Sequence, residues 1–93
     1  MLIVKKFGGS SVAGRERVFN VAARIAEDYD LGHKIVVVLS AQGDTTDDMV
    51  ALAKTYSANP SKREMDMLIT TGEQVSVSLM ALALHELGYN AIS

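Results

Sequence analysis

The sequence has no cysteine, one proline and only 5% aromatic residues among its 93 positions. Without cysteine there is no disulfide framework, no thiolate metal site and no cysteine nucleophile. A single proline in a chain that is 48% hydrophobic and 22% charged excludes the disordered and low-complexity classes. Neither sign of charge dominates: Lys and Arg number 9 and Asp and Glu 11, for a formal charge of −2. Such a balance lends no general electrostatic support to a nucleic-acid or anionic-membrane partner. Apolar runs are short, and none approaches the roughly 20 residues of a membrane span. No signal or transit peptide is visible, because Met1 leads directly into a strand-like run. The expectation is a cytoplasmic chain with neither a nucleic acid nor a membrane as partner. A chain of 93 residues makes one small domain, too short for most complete two-substrate enzymes.

What is present is an alternation of strand and helix signals. Leu2–Phe7 reads as a strand stopped by Gly8-Gly9. From about Gly14 to Leu31, Val18, Val21, Ala22, Ile25 and Tyr29 recur at helical spacing, and Gly32 closes the helix. Ile35–Leu39 is apolar without alternation, the pattern of a strand buried on both faces of a parallel sheet. A second helix is expected near Thr46–Tyr56, with Thr45 or Thr46 as its cap. A third follows the capping box Ser61-Lys62-Arg63-Glu64 and runs to about Leu87, interrupted at Gly72. Asn90–Ser93 looks like the opening of a third strand. Strand and helix in this order predict a mainly parallel α/β arrangement. The third helix carries two apolar stripes, Val77-Met80-Leu84 and Val75-Leu79-Leu82. Two strands cannot bury both, so more chain or a partner is expected to cover one.

In open parallel sheets, ligands bind beyond the carboxyl ends of the strands. Both loops of that kind carry suitable residues. In Lys6-Phe7-Gly8-Gly9-Ser10-Ser11, the glycines let backbone N–H groups approach a phosphate, and Lys6 supplies a full charge. Taken alone, the pair reads first as a tight turn beside a snorkelling lysine. Neither a Walker A pattern nor G-x-G-x-x-G is present. The second loop, Ser40–Thr46, offers hydroxyls suited to a small carboxylate-bearing substrate, or simply a helix cap. Asp47 and Asp48 read as first-turn residues favoured by the helix dipole. Glu73 shares a stripe with Val77, Met80 and Leu84, so its carboxylate is expected to point toward protein. Either a substrate ammonium or nearby backbone N–H groups would satisfy it there. His33 and His85 have no ligand partner at useful spacing, the methionines read as core filler, and Arg15, Arg17, Lys62 and Arg63 as solvated helix positions.

Lys6-Phe7-Gly8-Gly9-Ser10-Ser11 closely resembles the Lys-Phe-Gly-Gly-Thr/Ser-Ser signature that opens aspartate kinases. Val36–Asp47 and Arg63–Gln74 resemble two further segments of that family, in the same order, and the three span nearly the whole chain. The resemblance implies the amino acid kinase (carbamate kinase-like) fold, a three-layer α/β/α sandwich around a mainly parallel sheet. Residues 1–93 would be the N-terminal part of its catalytic domain, truncated at the third strand. The implied activity is transfer of the γ-phosphoryl of ATP, with Mg2+, to the β-carboxylate of L-aspartate. The product, 4-phospho-L-aspartate, leads to lysine, methionine, threonine and isoleucine. By motif position, Lys6, Phe7, Gly8, Gly9 and Ser10 would hold the ATP phosphates, with Lys6 catalytic. Ser40, Thr46 and Glu73 would bind aspartate, and no residue is implied as a direct metal ligand. The later phosphate loop and ACT-type regulatory domains are absent, so a chain inactive alone and a homo-oligomer are expected. Two alternatives stand beside this one. One is a kinase for glutamate or N-acetylglutamate, and the other a non-catalytic module that associates through its doubly apolar helix.

Overall fold

The structure, a computed structural model, describes residues 1–93. Strand β1 (Leu2–Phe7) is followed by a short 3-10 turn (Gly9–Val12), helix α1 (Arg15–Asp30) and strand β2 (Lys34–Leu39). Helices α2 (Thr45–Tyr56) and α3 (Lys62–Glu86) complete the fold. The strands pair in parallel, with Leu2 opposite Lys34 through to Phe7 opposite Leu39.

Because side chains alternate along a strand, the pair has two different faces. Phe7, Ile35, Val37 and Leu39 pack against α1 and α3. Leu2, Val4, Val36 and Val38 point the other way and are exposed. The unbroken run Ile35–Leu39 is therefore covered on one face only, because α1 and α3 both pack against that side. Two of the three layers of the expected sandwich are thus present. The core centres on Val18, Val21, Ala22 and Ile25 of α1, Met80, Ala83 and Leu84 of α3, and Val12 of the 3-10 turn.

Helices α1 and α3 both end on a glycine. At the end of α1, His33 N donates to Asp28 O and Gly32 N to Tyr29 O, with Gly32 at φ 92°. At the end of α3, Tyr89 N donates to Leu84 O and Gly88 N to His85 O, with Gly88 at φ 93°. Each is a Schellman closure, which satisfies orphan carbonyls through a left-handed residue.

Three local expectations change. Helix α3 runs unbroken through Gly72, since a glycine weakens a helix by only about 1 kcal/mol without removing a hydrogen bond. The cap of α2 is Asp44, acting through its backbone, while Thr45 Oγ1 donates to Gln42 O at 2.5 Å. Asn90–Ser93 forms no strand; the Ala91 carbonyl instead meets His85 Nε2 at 2.8 Å. At Ser61 the cap stands, its hydroxyl accepting from Glu64 N, while the Glu64 carboxylate pairs with Arg63.

By length and composition α3 meets the requirement for a membrane span, with mean hydropathy 1.4 over an 18-residue stretch. Its buried residues are Gly72, Ser76, Met80, Ala83 and Leu84, so one stripe packs as a core helix does. Val75, Leu79 and Leu82 stay exposed, which leaves the second stripe uncovered as the sequence predicts. The radius of gyration is 15.3 Å, against roughly 12 Å for a compact chain of this size. The α2 helix and the first half of α3 extend away from the core.

Candidate functional site

The carboxyl ends of β1 and β2 lead into the two loops singled out from the sequence, and hydrogen bonds join those loops. Ser40 N donates to Phe7 O at 3.3 Å, and Gly43 N donates to Gly9 O at 3.0 Å. The approach at Gly9 is so close that a Cβ there would lie 2.5 Å from the Ala41 carbonyl oxygen. Helix α3 enters the same junction at Gly72. A Cβ on Gly72 would lie 2.9 Å from the Ala41 Cβ and 3.3 Å from the Thr45 Cγ2. Ala41 thus sits between two glycines that leave room for it, and all three segments meet at one end of the sheet.

Lys6 is exposed on the open face, opposite Val38, and forms no ion pair. Its neighbour Lys5 faces the other way and pairs with Asp28 of α1. Phe7 turns its ring toward the core, so only its backbone is available to a ligand. Gly8 has ordinary extended dihedrals, φ −78° and ψ 171°. A Cβ on it would meet nothing within 4 Å, and no acceptor in the chain takes its N–H. Neither conformation nor packing within this chain requires glycine there, while an open N–H with no Cβ beside it suits close approach by an anion. Ser10 is exposed, with its carbonyl bound by Arg17 at 2.8 Å.

Ser40 and Thr46 are half-buried on either side of the seam. Glu73 follows directly on Gly72 but is exposed, which corrects the expectation that its carboxylate points into protein. The buried stripe of α3 is Gly72, Ser76, Met80, Ala83 and Leu84. It shares Met80 and Leu84 with the stripe read from large apolar side chains, but nearer the start of the helix Gly72 and Ser76 take the place of Glu73 and Val77. Small residues are buried here because α3 lies close to the second loop. The Ser76 hydroxyl is satisfied by donating to Gly72 O at 3.4 Å.

Sequence reasoning brought the three segments together but missed the residues that join them. Gly43 and Gly72 make the seam, and Arg17 holds the first loop. A glycine in an otherwise good helix pattern, and an arginine in a helix's first turn against the dipole, were the available signals. No group of three or more His, Cys, Asp or Glu comes together in the chain.

The sequence profile of the amino acid kinase family matches residues 1–93. The chain belongs to the amino acid kinase family. This amino acid kinase chain is 62% identical over 92 residues to an aspartokinase of Bacillus sp. (strain MGA3), covering 99% of the chain and 22% of that protein. It is 55% identical over 92 residues to aspartokinase 2 of Bacillus subtilis (strain 168), again 22% of that protein. Among solved structures it is similar to an aspartate kinase from Synechocystis, with TM-score 0.97 and 53% identity, over 99% of this chain and 16% of that one. The amino acid kinase chain thus spans about a fifth of the length of these curated relatives.

Proposed function

We propose that these residues are the N-terminal part of the catalytic domain of an aspartate kinase. The reaction is transfer of the γ-phosphoryl group of MgATP to the β-carboxylate of L-aspartate. The observation that carries this reading is the convergence of Lys6–Gly9, Ser40–Thr46 and Gly72-Glu73 at one end of the sheet, around Ala41. The aspartokinase relatives, at 62% and 55% identity, support the choice of substrate.

The chemistry asks little of a base. A β-carboxylate oxygen is already a nucleophile; it forms a bond to the γ-phosphorus as the bond to the bridging β,γ-oxygen breaks and ADP departs. No proton has to move. Catalysis then rests on aligning two anions and neutralising the charge between them. Lys6, exposed and unpaired, supplies that charge, and the Gly8 N–H supplies a donor to a phosphate oxygen. The Ser40 and Thr46 hydroxyls and the Glu73 carboxylate take the aspartate, with Glu73 pairing its α-ammonium. Exposed Glu73 stays accessible to an incoming substrate without first breaking an internal pair. Mg2+ would enter with the nucleotide as MgATP, and its charge would add to that of Lys6 in neutralising the phosphates.

Aspartate-dependent ADP release by the full-length protein tests the reading. Turnover with aspartate, and much less with glutamate or N-acetylglutamate, is expected. Preference for either of the latter would replace the substrate and leave the phosphate site standing. Residues 1–93 alone should be inactive, with one sheet face and the second α3 stripe bare.

A further inference from the structure

We infer that Arg17 is a positioning residue for the glycine loop. It binds the Ser10 carbonyl from behind, so that the loop presents N–H groups to the phosphate. This rests on the phosphate reading above and adds to it a residue that touches neither substrate.

Three successive carbonyls of the loop are held. Gly8 O accepts from Ser11 N at 3.1 Å, Gly9 O from Gly43 N at 3.0 Å, and Ser10 O from Arg17 Nη1 at 2.8 Å. A carbonyl oxygen turned toward a phosphate would repel it, so a loop that binds anions must keep these oxygens engaged elsewhere. Backbone groups hold the first two whatever the side chains are. Only the third depends on a single side chain.

Arg17 also occupies a position that needs a reason. It lies in the first turn of α1, where the helix dipole disfavours a cation. Arg15 in the same turn is accounted for by its guanidinium, 4.7 Å from the centre of the Phe19 ring. Arg17 has no carboxylate partner, since the chain's ion pairs are Lys5–Asp28 and Arg63–Glu64. Its one bond goes to Ser10, and its positive charge stays beside the loop unneutralised. Arginine is suited to this, with a planar fork and a charge that persists at any working pH.

Arg17 and Arg24 line a polar recess of about 300 Å³ with Ser10, Ser11 and Asn20. It is open to small solutes, which permits chemical rescue. In the full-length protein, Arg17→Ala should raise the ATP KM and lower kcat, about ten- to a hundredfold in kcat/KM for ATP. The KM for aspartate should stay within about twofold. Arg17→Lys should recover part of the loss, and millimolar methylguanidinium should recover part of it in Arg17→Ala. Unchanged ATP kinetics in Arg17→Ala would overturn the inference. So would equal losses for ATP and aspartate, with a lowered Tm and no rescue, which is the mark of a general folding role. Wild-type protein without ATP turnover would remove the phosphate reading and this inference with it. Normal wild-type turnover with an indifferent Arg17→Ala variant would remove the Arg17 role alone.

Discussion

Gly9 and Ala41 are in backbone contact: a Cβ on Gly9 would stand 2.5 Å from the Ala41 carbonyl oxygen. Gly8, one residue earlier, has open space around it. The two glycines therefore separate experimentally. Gly9→Ala should destabilise the protein by about 1–3 kcal/mol through overpacking. Gly8→Ala should leave stability unchanged or raised by about 0.4–1 kcal/mol, through a less mobile unfolded chain, while weakening ATP binding. Thermal unfolding and nucleotide titration of both variants check the pair; a destabilised Gly8→Ala would count against the role given to that glycine.

Gly72 sets helix propensity against packing. Alanine in mid-helix gains about 1 kcal/mol, but its Cβ would stand 2.9 Å from the Ala41 Cβ, and overpacking costs about 1–3 kcal/mol. Packing should win, so Gly72→Ala lowers Tm despite being the better helix former. Adding Ala41→Gly makes room and should restore much of the loss. A double-mutant cycle with no coupling between the two sites would refute this account.

Adjacent lysines on opposite faces should behave oppositely. Lys6→Met in the full-length protein should lower kcat by about 100- to 1,000-fold, the scale of losing one preorganised electrostatic donor. Stability should hardly change, because Lys6 makes no ion pair. Lys5→Met removes the pairing with Asp28; it should leave kcat near normal and shift stability by no more than about 1 kcal/mol. Near-normal turnover in Lys6→Met would sink its assignment.

Tyr89 donates its hydroxyl to Asp30 Oδ2 at 2.7 Å, and that bond, above all, raises the phenol's pKa above its ordinary value. A raised pKa means that the folded state holds the proton more tightly. The stability it contributes is complete below the unfolded tyrosine value near 10 and is lost as pH climbs through the folded one. The Tm difference between wild type and Tyr89→Phe should stay level up to about pH 10 and shrink above it. A difference independent of alkaline pH would rule the bond out as its source.

Both strands and the extent of all three helices were legible because their signals are local. Ile35–Leu39 is rich in the β-branched residues that favour a strand, and Ser61 caps a helix by its own hydroxyl. The coverage of each element was harder to read. Val36 and Val38 have the composition of buried residues but lie on the bare face, and nothing within Ile35–Leu39 says how many layers surround it. Glu73 falls on the stripe that the large apolar residues Val77, Met80 and Leu84 define in the sequence. In the fold, Gly72 and Ser76 set the stripe instead, since small residues let α3 approach Ala41. At the site, Lys6, Ser40 and Thr46 were visible by residue type and by position after a strand. Arg17 was not, because it contributes a hydrogen bond to a backbone oxygen seven positions away, and residue type alone does not reveal such a bond.

The alternation of Lys5 and Lys6 along β1 gives the site a parity. In the observed register Val4 lies opposite Val36 and Lys6 opposite Val38, all on the bare face. Removing one residue between Met1 and Lys5 could be absorbed by fraying at the start of the strand. Inserting one between Lys5 and Phe7, with the glycine loop held in place by Gly43, would push every earlier residue onto the opposite face. Lys6 itself would remain outward only if the insertion preceded it. Lys5 would then leave Asp28, and Leu2 and Val4 would turn toward α1. Single-residue insertions in this strand should consequently keep Lys6 on the open face or turn it inward according to which side of Lys6 they fall on, a sharper divide than any point substitution of Leu2, Ile3 or Val4 would produce.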